Sequence, residues 1–253
     1  MDYKVPSKAE VQAVDLSWKR YVLPRIHPEG RKILAWEFVL FGVLGAAGFA
    51  GLRCWPLYAL FAFWGIGLAA LVFSFYFFRN PERVPPERAE ERGLVVAPAD
   101  GIVSNIRMIV PPPEMGIGTE ERLRVSIFMS VFSVHVNRAP VGGEVVALKY
   151  VPGKFVSVQD KDSEDNERQL IGLRTGDGRL VGVVQIAGLV ARRIFCPLQV
   201  GDKLAVGEVF GMIRFGSRLD VYLPPGVAPM VRLGQVAVAG ETVLAAMKAS
   251  EVA

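Results

Sequence analysis

Hydrophobic and polar positions fall into two regimes along the chain. From Ile33 to Phe78 apolar residues run almost unbroken, whereas beyond Leu94 they come in short β-branched runs separated by glycine. The first regime has two halves. Ile33 to Gly51 is apolar except for Glu37 near its start, and Trp55 to Phe78 holds no charged residue. A membrane crossing takes about 20 apolar residues, so the second half is long enough with some tilt. Between the halves lies Leu52-Arg53-Cys54, and Pro56 falls where a first helical turn accepts it. The pattern predicts a transmembrane helical hairpin over residues 33–78. Arg31 and Lys32 before it, with Arg79 and Arg83 after it, put both ends on the cytoplasmic side. The expected location is therefore the cytoplasmic membrane, with residues 1–32 as a basic N-terminal segment and the following domain facing the cytoplasm. A hairpin that enters the bilayer without crossing is the alternative. A cleaved signal peptide is not expected, because the apolar run starts too far from Met1.

Residues 79–93 (RNPERVPPERAEERG) are charged and proline-containing and cannot continue a helix. From 94 to 253 the runs Gly101–Val103, Leu123–Met129, Gly143–Val151, Gly182–Ile186 and Val190–Phe195 read as strands, and no long 3.6-residue period appears. The domain is predicted to be mainly β. Residues 160–168 (DKDSEDNER) form a charged connector. One internal echo stands out: residues 201–208 (GDKLAVGE) and 234–241 (GQVAVAGE) share glycine spacing and apolar placement. Such hairpins look like those of biotinyl and lipoyl carrier domains, which points to a barrel-sandwich architecture.

Composition narrows the partners. A net charge of +4, with no basic run interleaved with aromatics, argues against nucleic acid. The basic flanks of the apolar stretch suit an anionic membrane surface instead. Cys54, Cys196, His27 and His135 are scattered without ligand spacing, so neither a metal site nor a disulfide framework is expected. Self-association through exposed β edges is a further expectation.

The candidate chemistry lies at Phe215-Gly216-Ser217-Arg218, between two predicted strands, Glu208 to Arg214 and Leu219 to Leu223. A Gly-Ser step in a turn is ordinarily only a turn. A bent backbone there would also let the serine hydroxyl attack the carbonyl before it, and glycine leaves that carbonyl unhindered. The resulting ester can eliminate to dehydroalanine and hydrolyse to a pyruvoyl group, whose ketone can form a Schiff base with a primary amine.

Other segments give this option weight. Val96 to Val103 (VAPADGIV) resembles the VxPxDG segment of phosphatidylserine decarboxylases. Phe128-Met129-Ser130 leading to Val134–Pro140 (VHVNRAP) resembles their histidine segment. Gly153-Lys154-Phe155, Asn166-Glu167-Arg168 and Phe77–Pro81 (FFRNP) fit the same family in the same order. The similarity runs from about Phe77 to Leu223 and is closest to the short bacterial and archaeal branch.

This resemblance implies self-cleavage between Gly216 and Ser217 into a β chain (1–216) and an α chain (217–253) that stay together. Ser217 would become a covalent pyruvoyl cofactor, with His135 and Asp100 cooperating in the cut. The implied reaction removes CO2 from phosphatidylserine in the membrane to give phosphatidylethanolamine. A histidine oriented by a carboxylate is a common way to activate a serine, and His135 is also the expected proton donor to the substrate α-carbon. Arg79, Arg83 and Lys154 are candidates, by residue type, for holding the phosphodiester. Two positions depart from the family pattern. Arg218 follows the serine where threonine is common, and Arg138 stands where longer bacterial members have a second histidine. The rival reading is a non-catalytic, membrane-tethered carrier or adaptor, with Lys248 in Ala246-Met247-Lys248 as the modified lysine. A conventional serine hydrolase fits less well, because Ser217 lacks a GxSxG elbow.

Overall fold

The computed structural model describes residues 25–50, 57–153, 166–188, 193–214 and 216–247. Lys154, Phe155, most of the charged connector, Cys54, Phe215 and Lys248 lie outside them. The elements in chain order are β1 (Arg25–Ile26), α1 (Pro28–Ala50), α2 (Leu57–Phe77), β2 (Arg79–Asn80), β3 (Leu94–Val96), β4 (Gly101–Ile109), β5 (Arg122–Met129), β6 (Val136–Arg138), β7 (Gly143–Val151), β8 (Arg168–Arg174), β9 (Leu180–Ala187), β10 (Arg193–Phe195), β11 (Lys203–Leu204), β12 (Val209–Arg214), β13 (Ser217–Tyr222), β14 (Val236–Ala237) and β15 (Val243–Ala246). Beyond the two helices the fold is mainly β, as the short alternating runs predict.

An antiparallel eight-stranded sheet runs β11-β7-β8-β9-β13-β5-β4-β14, and smaller sheets, β10-β12-β6 and β15-β3, accompany it. One core joins all three. It takes Val125, Ile127, Val183, Leu219 and Val221 from the large sheet, Phe210 and Ile213 from β12, and Val95 and Leu244 from the β15-β3 pair. Burying one such side chain contributes roughly 1.5–3 kcal/mol. Strand β13 has no solvent-facing side: it is buried at every residue and paired to β5 and β9 over its full length. Its alternate residues Leu219 and Val221 enter the main core, while Tyr222 joins a second cluster with Met115, Leu170 and Val184.

The sheet reads alike from both edges. Ala97-Pro98-x-x-Gly101-x-Val103 matches Ala139-Pro140-x-x-Gly143-x-Val145. The carbonyls of Ala97 and Val103 accept from Gly240 and Gly234, and those of Ala139 and Val145 accept from Gly207 and Gly201, all at 2.8–2.9 Å. Each copy is followed by a bulge, between Val103 and Asn105 in β4 and between Val145 and Ala147 in β7. The echo between residues 201–208 and 234–241 is thus half of a duplication. Its axis passes between β9 and β13, where Val183 faces Val221.

The two helices form where the apolar pattern put them and pack together, Phe41 against Phe63 with ring centroids 5.6 Å apart. The membrane crossing expected of them is not borne out: among the described residues no helix is long and apolar enough to cross a membrane. At the base of the pair, charge and protein contacts interrupt the apolar surface. Glu29, Arg31, Lys32 and Glu37 occupy the first turns of α1. The last turns of α2 are taken into protein: Ser74, Phe77 and Phe78 are buried, and Ser74 donates to Glu37 at 2.7 Å. Residues 79–93 are not a loose tether either. Residues 79–80 pair with β1, Arg138 donates to Asn80 and Pro81, and the Val84 amide donates to Glu241.

Gly101 is a position where packing requires glycine. A Cβ there would lie 2.1 Å from the Phe128 carbonyl oxygen, which is backbone and cannot yield cheaply. Gly101→Ala is expected to cost about 1–3 kcal/mol, read as a lower urea midpoint with an unchanged denaturant slope.

Candidate active site

Ser217 is the first residue of β13 and is fully buried. The chain reaches it through Gly216, at φ +56, in the left-handed region that glycine enters without a Cβ penalty. The carbonyl of Gly216 accepts the Gly188 amide at 3.0 Å. A donor on that oxygen polarises the carbon that Ser217 would attack and is placed to hold the charge that develops. The Ser217 hydroxyl rests on the Met129 sulfur at 3.2 Å, a weak acceptor that leaves it easily displaced.

His135 is fully buried and is linked to Ser217 through the backbone. Met129 lies opposite Ser217, a turn at Ser130–Ser133 follows, and the His135 carbonyl then accepts the amide of Ile213, four residues before Ser217. The imidazole stacks on Phe77 with centroids 4.2 Å apart. Nδ1 lies 2.9 Å from the Ser133 carbonyl, an oxygen that can only accept, so Nδ1 carries the proton and Nε2 holds the lone pair. Nε2 is buried without a hydrogen-bond partner among the described residues. Burial pushes the imidazole down to about 4; the Ser133 carbonyl opposes this and the Arg79 cation adds to it. His135 is therefore a neutral base at pH 7.

Asp100 does not orient this histidine. Its carboxylate receives Arg83 at 2.8 Å on one oxygen and the Ala239 amide at 2.8 Å on the other. Burial raises its pKa, against the opposing pull of the Ala239 amide and Arg83. The orienting group is the Ser133 carbonyl, which sequence patterns cannot reveal because every residue has one. Gly188 was missed for the same reason, since it acts through its amide. A cleft of about 280 Å³, lined by Asp100, Phe128, Ser130, Ser133 and Val238, opens beside the turn. A larger one, about 670 Å³, sits at the duplicated end around Gly142, Gly143 and Asp177. There Gly142 replaces the aspartate, so size does not mark the chemistry.

Both departures from the family pattern have structural explanations. Arg218 points away from Ser217, to the opposite face of β13, and grips Asp220 through two bonds of 2.9 and 3.0 Å. Arg138 donates to Gly207, Asn80 and Pro81 and serves as a clamp rather than a proton carrier. Cys196 is no nucleophile, because burial pushes its thiol up to about 11.

A serine heading a doubly paired strand, behind a left-handed glycine whose carbonyl is already polarised, has the layout of a protein that can process its own backbone. The profile of the family described as phosphatidylserine decarboxylase matches residues 71–245. A phosphatidylserine decarboxylase proenzyme of Cereibacter sphaeroides is 52% identical over 231 residues, covering 89% of this chain and 91% of the relative. Its counterpart in Ruegeria pomeroyi is 52% identical over 224 residues (88% and 95%), and that of Mycobacterium marinum 49% over 231 (91% and 90%). The chain belongs to the phosphatidylserine decarboxylase family. None of these relatives carries a name that supports a carrier role.

The buried imidazole makes stability depend on pH. The unfolded chain binds a proton near 6.5, while the folded chain resists until about 4. Between these values the unfolded state holds more protons, so stability rises with pH across the window and is lost as pH falls through it. In the Ser217→Ala chain this component should approach roughly 3 kcal/mol. Urea titrations from pH 4 to 7 should show it, and His135→Gln should flatten the slope.

Proposed function

We propose that this chain is a phosphatidylserine decarboxylase proenzyme that cuts itself between Gly216 and Ser217. The observation that carries the reading is the Gly216–Ser217 step, with its left-handed glycine, Gly188 amide and buried hydroxyl. On this reading Ser217 Oγ leaves the Met129 sulfur, gives its proton to a base and attacks the Gly216 carbonyl carbon. The Ser217 nitrogen leaves with a proton, and an ester joins the two residues. Removal of the Cα proton at 217 expels Gly216 as a carboxylate, and hydrolysis of the unsaturated residue releases ammonia and leaves a pyruvoyl group. Residues 216 and 217 fit this group, since the bend that precedes it and the strand that would carry it are both in place.

The pyruvoyl group supplies a ketone that captures the substrate's primary amine and accepts electrons as CO2 departs. His135 supplies the base: its Nε2 takes up the serine proton during cleavage and returns one to the substrate α-carbon. Asp100 acts through Arg83 and the Ala239 amide, fixing the rim of the cleft. The duplicated halves around a shared core support reading the domain as a barrel-sandwich.

The substrate remains in the bilayer, each buried CH2 being worth ~0.8 kcal/mol, so the site must come to the headgroup plane. We read the helical pair as a hairpin that enters the bilayer from the cytoplasmic face. Supporting this, Trp36, Phe38, Phe61 and Ile66 are exposed along it, a larger apolar surface than a monomer ordinarily leaves to water.

The mass of the denatured chain tests the cut. Pieces spanning 1–216 and 217–253 are expected from the wild type, the smaller with a blocked N-terminus, and a single whole chain from Ser217→Ala. An intact chain in folded, active wild-type protein would overturn the reading. Phe61→Glu should reduce flotation with anionic phospholipid vesicles while leaving self-cleavage intact.

A further inference from the structure

Three contacts join the base of the helical hairpin to the segments that carry the chemistry. Phe77, in the last turn of α2, lies against the His135 ring. Arg79, just beyond, donates to the Tyr76 carbonyl at 2.6 Å and to the Phe132 carbonyl at 2.9 Å, tying the helix end to the turn whose Ser133 carbonyl holds His135 Nδ1. Glu29, in the first turn of α1, pairs with Arg214, three residues before Ser217. The hairpin base also fills an apolar cluster with the small sheet, where Phe77 and Phe78 meet Val134, Val136 and Met212. One rigid element thus touches the imidazole, its orienting turn and the strand leading to the scissile bond.

We propose that the hairpin base is the positioning element of the active site, with Phe77 and Arg79 fixing the His135 base and Glu29 fixing the approach to Gly216–Ser217. The proposal rests on the self-cleavage reading above and adds residues to it. The arrangement is economical for an interfacial enzyme. Phe132, whose carbonyl Arg79 holds, is 65% exposed at the tip of the turn, beside the helix end. Whatever seats the hairpin seats the turn, and the turn holds the tautomer of the base. Among the charged groups of the described residues, Arg79 is the one that acts on His135; Phe77, the β6–β12 pair and the Ser130–Ser133 turn present no other charge to it.

The test follows self-cleavage of the full chain as it is newly made by cell-free translation in detergent, by mass, after transfer to pH 4 to 8. Phe77→Leu and Arg79→Gln should slow cleavage about tenfold or more, since misplaced groups lose rate steeply. They should also move the acid limb of the pH profile upward, toward the ordinary histidine range, because each change gives the imidazole more water or less opposing charge. Ile171→Val, buried in the main core away from the hairpin, is the matched control and should change neither. Arg79 is only half-buried, so Arg79→Gln will fold even if Phe77→Leu does not. Wild-type rates and an unmoved acid limb in folded Arg79→Gln would overturn the positioning role while leaving self-cleavage standing. A wild-type chain that stays whole at every pH would overturn the self-cleavage reading, and this one with it.

Discussion

Strand β13 is hydrogen-bonded on both sides from its first residue, and most of the molecule's chemistry follows from that constraint. A residue inside such a ladder cannot bend, so any distortion needed at the Gly216–Ser217 bond must be taken up on the glycine side. The left-handed φ of Gly216 does this, while its carbonyl accepts the Gly188 amide next to the Ala187–Ser217 pair. The serine is held still by its partners on both sides. The same rigidity explains why Arg218 is harmless beside the serine: the two-residue period of the strand sends it to the other face, where Asp220 receives it.

Much of this was legible in the chain. Short β-branched runs announced the sheet and the unbroken apolar run announced two helices, but the turn expected over Phe215–Arg218 gives way to β13 already at Ser217. What failed to show were interactions carried by backbone atoms or fixed by three-dimensional closure. His135 is oriented by the carbonyl of Ser133 and the Gly216 carbonyl is met by the Gly188 amide; neither has a side-chain signature. Asp100 suggested a carboxylate behind the histidine, yet folding brings Arg83 to it first. Composition likewise cannot tell a phenylalanine facing lipid from one such as Phe77 that faces an imidazole.

The duplication places these features in proportion. Two copies of an Ala-Pro turn, each received by a glycine-bounded hairpin and followed by a bulge, build a sheet with equivalent ends. The architecture alone favours neither. The ends differ in what was laid over them: Asp100 with Arg83 at one, Gly142 at the other, and the helical hairpin docked beside only the first. Function here is a local departure from a symmetric scaffold, and the docked helices supply much of the asymmetry.

The placement of β13 has a further consequence for a chain divided after Gly216. The short piece would contribute β13 between β5 and β9, β14 against β4 and β15 against β3, each ladder shared with the long piece. No seam exists along which the two could part with their structures intact. Dissociation and denaturation would be one event, and the nicked protein would behave in dilution as a single molecule with two extra ends.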